Sequence, residues 1–215
     1  EMYKMKKVFA LLMCFVIAAT ALTGCGGSKA APESSSEPQK NASETAGSAE
    51  AASHKEELII GTAADINNLD LQKQQDQINN IALKLTHETL VFFTNEGTFE
   101  PRLATSWEWL DDTNIIFHLQ DGVTFSDGSP MTAEDVKFTY DMAMESMAAS
   151  VLKGLLETKV VDEHTVQLTI DSYSNEFIES LASVPVSIQS KAAYESGMEK
   201  PYLIGTGPYK FDEWV

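Results

Sequence analysis

The sequence predicts an α/β (α+β) fold, with a mixed sheet and β-hairpins combined with amphipathic helices. Two stretches, residues 107–119 and 160–170, alternate apolar and polar side chains across short polar turns, which is how paired strands read. Two others, residues 78–89 and 132–147, repeat apolar residues at helical spacing. The chain has 215 residues, 43% of them hydrophobic, enough for one or two domains with a sizeable core.

The first stretch reads as a targeting segment. Lys4, Lys6 and Lys7 precede an uncharged apolar run over residues 8–21, too short to span a bilayer and of the right length for an export signal. Leu22-Thr23-Gly24-Cys25 follows and resembles the lipobox of bacterial lipoproteins. The resemblance implies that residues 1–24 are a signal peptide and that Cys25 carries lipid on sulfur. Several acyl chains, at about 0.8 kcal/mol per buried CH₂, hold a protein at a membrane where one chain does not. Cys14 lies in the segment that would be removed, which leaves Cys25 without an intramolecular disulfide partner. From Gly26 to Glu57 the chain is rich in Ala, Ser, Glu and Gly and has no aromatic or large aliphatic residue. Such a composition cannot offset the entropy of ordering, so residues 25–57 are expected to form a lipidated, disordered linker, with a reach of roughly 30 Å.

The folded part is expected over residues 58–215. Leu58-Ile59-Ile60-Gly61-Thr62 reads as a short, doubly buried strand. A polar loop with Asp65, Asn67, Asn68 and Asp70 follows. Ile78, Ile81, Ala82, Leu85 and Thr89 then share one face of a helix expected from Asp76 to about Leu90. Val91-Phe92-Phe93 returns as a strand. Trp107 and Trp109 alternate with Glu108, and Ile115, Phe117 and Leu119 alternate with Ile116 and His118, giving a hairpin whose tryptophans pack on the sheet. A sugar-stacking role is the sharper alternative for these tryptophans.

Residues 125–136 read Phe-Ser-Asp-Gly-Ser-Pro-Met-Thr-Ala-Glu-Asp-Val. Asp127-Gly128 is a turn dipeptide, and Thr132 with Asp135 offers a reciprocal helix cap. The helix that follows places Val136, Tyr140, Ala143 and Met147 on one face, with Met142, Met144 and Met147 read as core filling. Val160-Val161 and residues 166–170 make a second hairpin around Asp162-Glu163-His164-Thr165. Residues 177–181 suggest a short helix, Val184-Pro185-Val186 an interrupted strand, and residues 190–197 a short capped helix. Gly205-Thr206-Gly207-Pro208-Tyr209 supplies two glycines that permit close backbone approach.

Leu103-Ala104-Thr105-Ser106-Trp107, the run at residues 125–136 and Gly205-Thr206-Gly207-Pro208-Tyr209, in that order, closely resemble signatures of the family 5 extracellular solute-binding proteins, the peptide and nickel receptors of ABC importers. The resemblance covers nearly all of residues 58–215. It implies one incomplete lobe of a periplasmic-binding-protein type II-like fold, because such receptors run to more than twice this length and close a second lobe over the ligand. It further implies a monomer that captures oligopeptides or dipeptides for ABC permease subunits, from the extracytoplasmic face of the cell membrane. A nickel chelate or another small solute is the alternative ligand. Ligand contacts on this lobe map approximately onto Asp65, Asn67, Asn68 and Leu69, with His87 and Glu88 as weaker candidates. Capping and turning account for these polar loop residues equally well.

Other functions fare poorly. A net charge of −17 argues against nucleic acid, whose phosphates need Lys and Arg. His54, His87, His118 and His164 show no paired metal spacing, and no nucleophile elbow is present, so neither catalysis, a metal nor a cofactor is expected. A lipid-anchored hydrolase with paired carboxylates and a surface adhesin or sensor are the alternatives from other classes.

Overall fold

The computed structural model describes residues 58–73 and 76–213. The expected signal peptide, the lipobox with Cys25 and the linker lie outside the described residues. The described elements, in chain order, are α1 (Gln77–Thr86), β1 (Val91–Phe93), β2 (Phe99–Pro101), β3 (Ala104–Trp109), β4 (Asn114–Leu119), α2 (Ala133–Met144), β5 (Leu155–Asp162), β6 (Thr165–Ile170), α3 (Asn175–Ser180) and α4 (Lys191–Glu195). Short 3₁₀ turns stand at Met147–Ser150, Val184–Val186 and Pro201–Leu203. The α/β class holds. Pairing among the described residues is antiparallel, in a two-stranded β1-β2 ribbon and a four-stranded sheet of order β3-β4-β6-β5.

Alternation in the strands decides which face is covered. Ile115, Phe117 and Leu119 of β4 and Val166, Leu168 and Ile170 of β6 are buried, and Ile115 pairs with Leu168 and Phe117 with Val166 across the ladder. Trp107 stacks near Phe117 at 6.2 Å, and Trp109 meets Tyr173 at 4.7 Å, so both tryptophans serve packing. Each large side chain so covered contributes about 1.5–3 kcal/mol. At the β3-β4 turn the Asp111 carboxylate accepts the Thr113 and Asn114 N–H groups, both at 2.8 Å. Those bonds, from Thr113 first, hold its pKa down at about 2.

Helix α2 lies on this sheet through Ala133, Val136, Tyr140 and Ala143, all fully buried. Its cap is carried by Asp135, whose Oδ2 accepts the Thr132 N–H at 2.8 Å and the Thr132 hydroxyl at 3.1 Å. The other oxygen of Asp135 accepts the Lys191 N–H at 2.9 Å and so ties α4 to the start of α2. Upstream, Gly128 takes φ +88°, and Asp127 accepts the Ser129 N–H at 2.9 Å, which folds the turn back on itself.

Several expectations are corrected. Leu58, Ile59 and Ile60 form no strand and are exposed, because no strand among the described residues pairs with them. The first helix ends at Thr86, where the backbone of His87 turns extended and its N–H closes on the Leu83 carbonyl at 2.8 Å. Its buried residues are Asn79, Asn80 and Leu83, while Ile78, Ile81, Ala82 and Leu85 are half-buried. Packing there is organised by the Asn79 amide, which apolar periodicity does not register. Val184-Pro185-Val186 is a buried 3₁₀ turn, since Pro185 has no N–H to give a ladder. Met144 and Met147 are exposed: α2 stops at Met144, and Met147 begins the 3₁₀ turn beyond it.

Candidate functional site

The polar loop before α1 is held by its own side chains. Asn79, buried on α1, accepts the Asn67 N–H at 3.0 Å and the Asn68 N–H at 3.4 Å, and its amide donates to Asn67 Oδ1 at 3.1 Å. The Asn68 side chain accepts the Asp70 N–H at 2.9 Å and donates to the Lys73 carbonyl at 3.2 Å. Asp70 accepts the Gln72 N–H at 3.0 Å and pairs with Lys73 at 3.0 Å. Capping and turning are thus the work these side chains perform here. Leu69 is buried with Leu71, Leu83 and Val184 in a small second core, and Asp65 is exposed.

His87 is placed differently from the loop residues. It is 3% exposed, and its Nδ1 lies 2.9 Å from the Thr86 hydroxyl. Burial lowers its pKa to about 4, against the pull of the Ile204 and Tyr202 backbone carbonyls, so the ring is neutral at pH 7. Gly205 lies over this ring: a methyl group there would come 2.6 Å from His87 Cδ2. The glycines thus let one backbone segment dock on the end of α1. Gly207 N–H donates to the Thr86 carbonyl at 2.9 Å, Tyr209 N–H to the Leu85 carbonyl at 3.0 Å, and Ser126 N–H to the Gly205 carbonyl at 2.9 Å. Two of the sequence signatures therefore meet each other at α1, and they do so as scaffold.

The expected site residues do not converge. Asn67, Asn68 and Leu69 border a concavity of about 380 Å³ with Lys200, Tyr202 and Phe211. His87 and Glu88 border a smaller one of about 170 Å³ with Lys84, Phe92, Phe93 and Arg102. Arg102 is engaged there by Glu88, Nε to Oε1 at 2.9 Å, and lies 6.0 Å over the Phe92 ring.

A larger concavity, about 490 Å³, adjoins the second of these and shares Lys84, Phe93, Ala182 and Val184 with it. Gln77, Asn80 and Lys84, spaced i, i+3 and i+7, line it from one flank of α1. Ser150, Val151, Glu179, Ser183 and Pro185 line the opposite side. The two together form a groove along α1, lined by polar side chains of α1 and by Phe93, Val184 and Pro185 among others. Sequence reading missed Gln77, Asn80 and Lys84, although their helical spacing was the available signal. Among the described residues no group of three or more His, Cys, Asp or Glu side chains could hold a metal ion, and no helix is long and apolar enough to cross a membrane.

Residues 98–215 match the family model described as "Bacterial extracellular solute-binding proteins, family 5 Middle". The chain belongs to that family. It is a family of solute-binding proteins and not of enzymes. "Probable D,D-dipeptide-binding periplasmic protein DdpA" of Escherichia coli K12 is 30% identical over 181 residues, covering 77% of this chain and 35% of that protein. The glutathione-binding protein GsiB of the same organism is 28% identical over 165 residues, covering 74% and 32%. Among solved structures, the periplasmic binding protein DppA of Helicobacter pylori, in complex with the peptide STSA, superposes with a TM-score of 0.60 at 28% identity over 71% of this chain and 36% of that one. The chain thus spans about a third of the length of the curated relatives it matches.

Proposed function

We propose that this chain is part of the substrate-binding component of an ABC importer and captures oligopeptides or dipeptides for delivery to permease subunits. The observation that carries the reading is the groove along α1, lined by polar and apolar side chains and set in a family 5 fold. The Gln77 amide and the Ser183 hydroxyl suit the N–H and C=O groups of a peptide backbone, and the apolar Phe93, Val184 and Pro185 suit its side chains. Relatives whose names specify a D,D-dipeptide and glutathione, and a neighbour holding STSA, support a peptide ligand. A protein of this kind acts as a monomer on the extracytoplasmic face of the membrane, held by lipid on Cys25. Replacing Cys25 by Ala abolishes lipid labelling and frees the protein from the membrane fraction.

A thermal-shift screen of the whole, delipidated protein against peptide pools and nickel complexes tests the ligand class. A ligand present at a hundred times its Kd raises stability by about 2.7 kcal/mol, enough to move the midpoint by several degrees. A shift with peptides is expected. A shift with a nickel complex and none with any peptide pool transfers the site to metal chelates.

A further inference from the structure

We propose that Asp121, in the turn that leaves β4, is a site of spontaneous covalent modification, closing on the Gly122 amide to a succinimide that reopens as isoaspartate.

The chain has two Asp-Gly pairs, Asp121-Gly122 and Asp127-Gly128, and both are exposed. In such a pair the aspartyl carboxyl reaches the next backbone nitrogen freely, because glycine has no Cβ to crowd the approach and rotates widely. The glycine nitrogen attacks Asp Cγ, a C–N bond forms, and the carboxyl's hydroxyl leaves with the amide proton as water. Water then opens the ring. Opening at the former backbone carbonyl routes the main chain through Cβ and Cγ and leaves the old main-chain carboxyl as the side group. No reagent besides water takes part.

The fold sets the two pairs apart. At the second, both reacting groups are held: Gly128 N–H donates to the Phe125 carbonyl at 2.9 Å, and Asp127 Oδ1 accepts the Ser129 N–H at 2.9 Å and the Ser129 hydroxyl at 2.7 Å. Attack there must first break the turn. At the first pair the Asp121 side chain is 89% exposed, and the Gly122 N–H has no hydrogen-bond partner among the described residues. The charged group facing Asp121 is His164 in the β5-β6 turn, whose Nε2 lies 3.6 Å from Oδ1, too far for a hydrogen bond to hold the carboxyl.

The place of this turn gives the change a consequence. Gln120 N–H is fixed to the Leu103 carbonyl at 2.8 Å, and the Val123 carbonyl accepts the Met131 N–H at 2.9 Å. An added main-chain carbon between those two anchors disturbs the step from β4 to residues 125–136, which carry the Thr132 and Asp135 cap of α2.

The test ages the whole protein in neutral buffer, folded and in urea, and maps isoaspartate by mass spectrometry after digestion with a protease that cleaves before aspartate and not before isoaspartate. One hydrogen bond that must open first corresponds to a reaction slower by roughly tenfold. In the folded protein isoaspartate is expected to accumulate at least about tenfold faster at Asp121 than at Asp127, and in urea the two rates converge. Asp121→Glu, whose ring closure is larger and slower, should lose the signal at that position. Equal rates in the folded protein overturn the proposal, and so does a bias that persists unchanged in urea. An Asp121 that stays unmodified in the folded protein while the unfolded chain reacts overturns it as well.

Discussion

Replacing Gly207 by Ala would place a methyl carbon 2.5 Å from the Leu85 carbonyl oxygen and 2.5 Å from the Thr86 carbonyl carbon. Both are backbone atoms of α1, so no side chain can swing away, and the docked segment itself must lift. Overpacking of this kind costs about 1–3 kcal/mol. Lifting the segment also loosens the Gly207 and Tyr209 N–H bonds to Thr86 and Leu85, at 2.9 and 3.0 Å, each contributing about 1 kcal/mol. The expected loss is therefore about 3–5 kcal/mol, read from urea unfolding followed by tryptophan fluorescence. Gly97→Ala is the control: it has open space around it and φ +80°, so the left-handed backbone alone should cost about 1 kcal/mol. If Gly207→Ala destabilises less than Gly97→Ala, the close approach assigned to this segment is wrong.

Removing the amide of Asn79 by substitution to Ala unties the Asn67 and Asn68 N–H groups, so their hydrogen exchange should accelerate at least tenfold, with about 1–3 kcal/mol of stability lost; unchanged exchange at both would contradict the assignment. His87 is neutral in the folded chain with a pKa near 4 and near 6.5 when unfolded, so its contribution is complete above pH 6.5 and falls by roughly 3 kcal/mol as pH drops toward 4. His87→Gln should flatten the stability profile between those pH values, and an unaltered slope counts against it. Tyr140 is fully buried, its hydroxyl has no hydrogen-bond partner among the described residues, and burial pushes its pKa far above the usual value. Tyr140→Phe is therefore expected to leave the melting temperature unchanged or to raise it, by up to about 1–2 kcal/mol of stability, and a clear loss would reveal an unrecognised partner.

Local chemistry made much of the fold legible. Thr132 and Asp135 announced the start of α2 because a cap is a contact between near neighbours, and alternation in 115–119 and 166–170 identified the covered face of the sheet. The glycines of 205–207 were read as close-approach residues, and the approach is to the end of α1. What escaped depends on distant partners. Leu58, Ile59 and Ile60 have strand composition, but composition does not supply a neighbouring strand. On α1, the apolar stripe pointed to Ile78 and Ile81, whereas the buried Asn79 fixes the helix against the loop. The same limit applies to the site. Asn67 and Asn68 read as ligand-binding candidates, and the structure shows the Asn67 oxygen bound by Asn79 and the Asn68 side chain bound within the loop. Helical spacing puts Gln77, Asn80 and Lys84 on one flank of α1, but only the packing of residues 150–151 and 182–185 beside it makes that flank a groove.

The central claim is that this protein holds a peptide, and native mass spectrometry of the whole, delipidated protein after dialysis against a pool of short peptides measures that directly. The account predicts a bound species heavier than the bare protein by the mass of one peptide, displaced by competing peptides. A spectrum showing only bare protein with the peptide pool, and an adduct with a nickel chelate or another small solute, contradicts it.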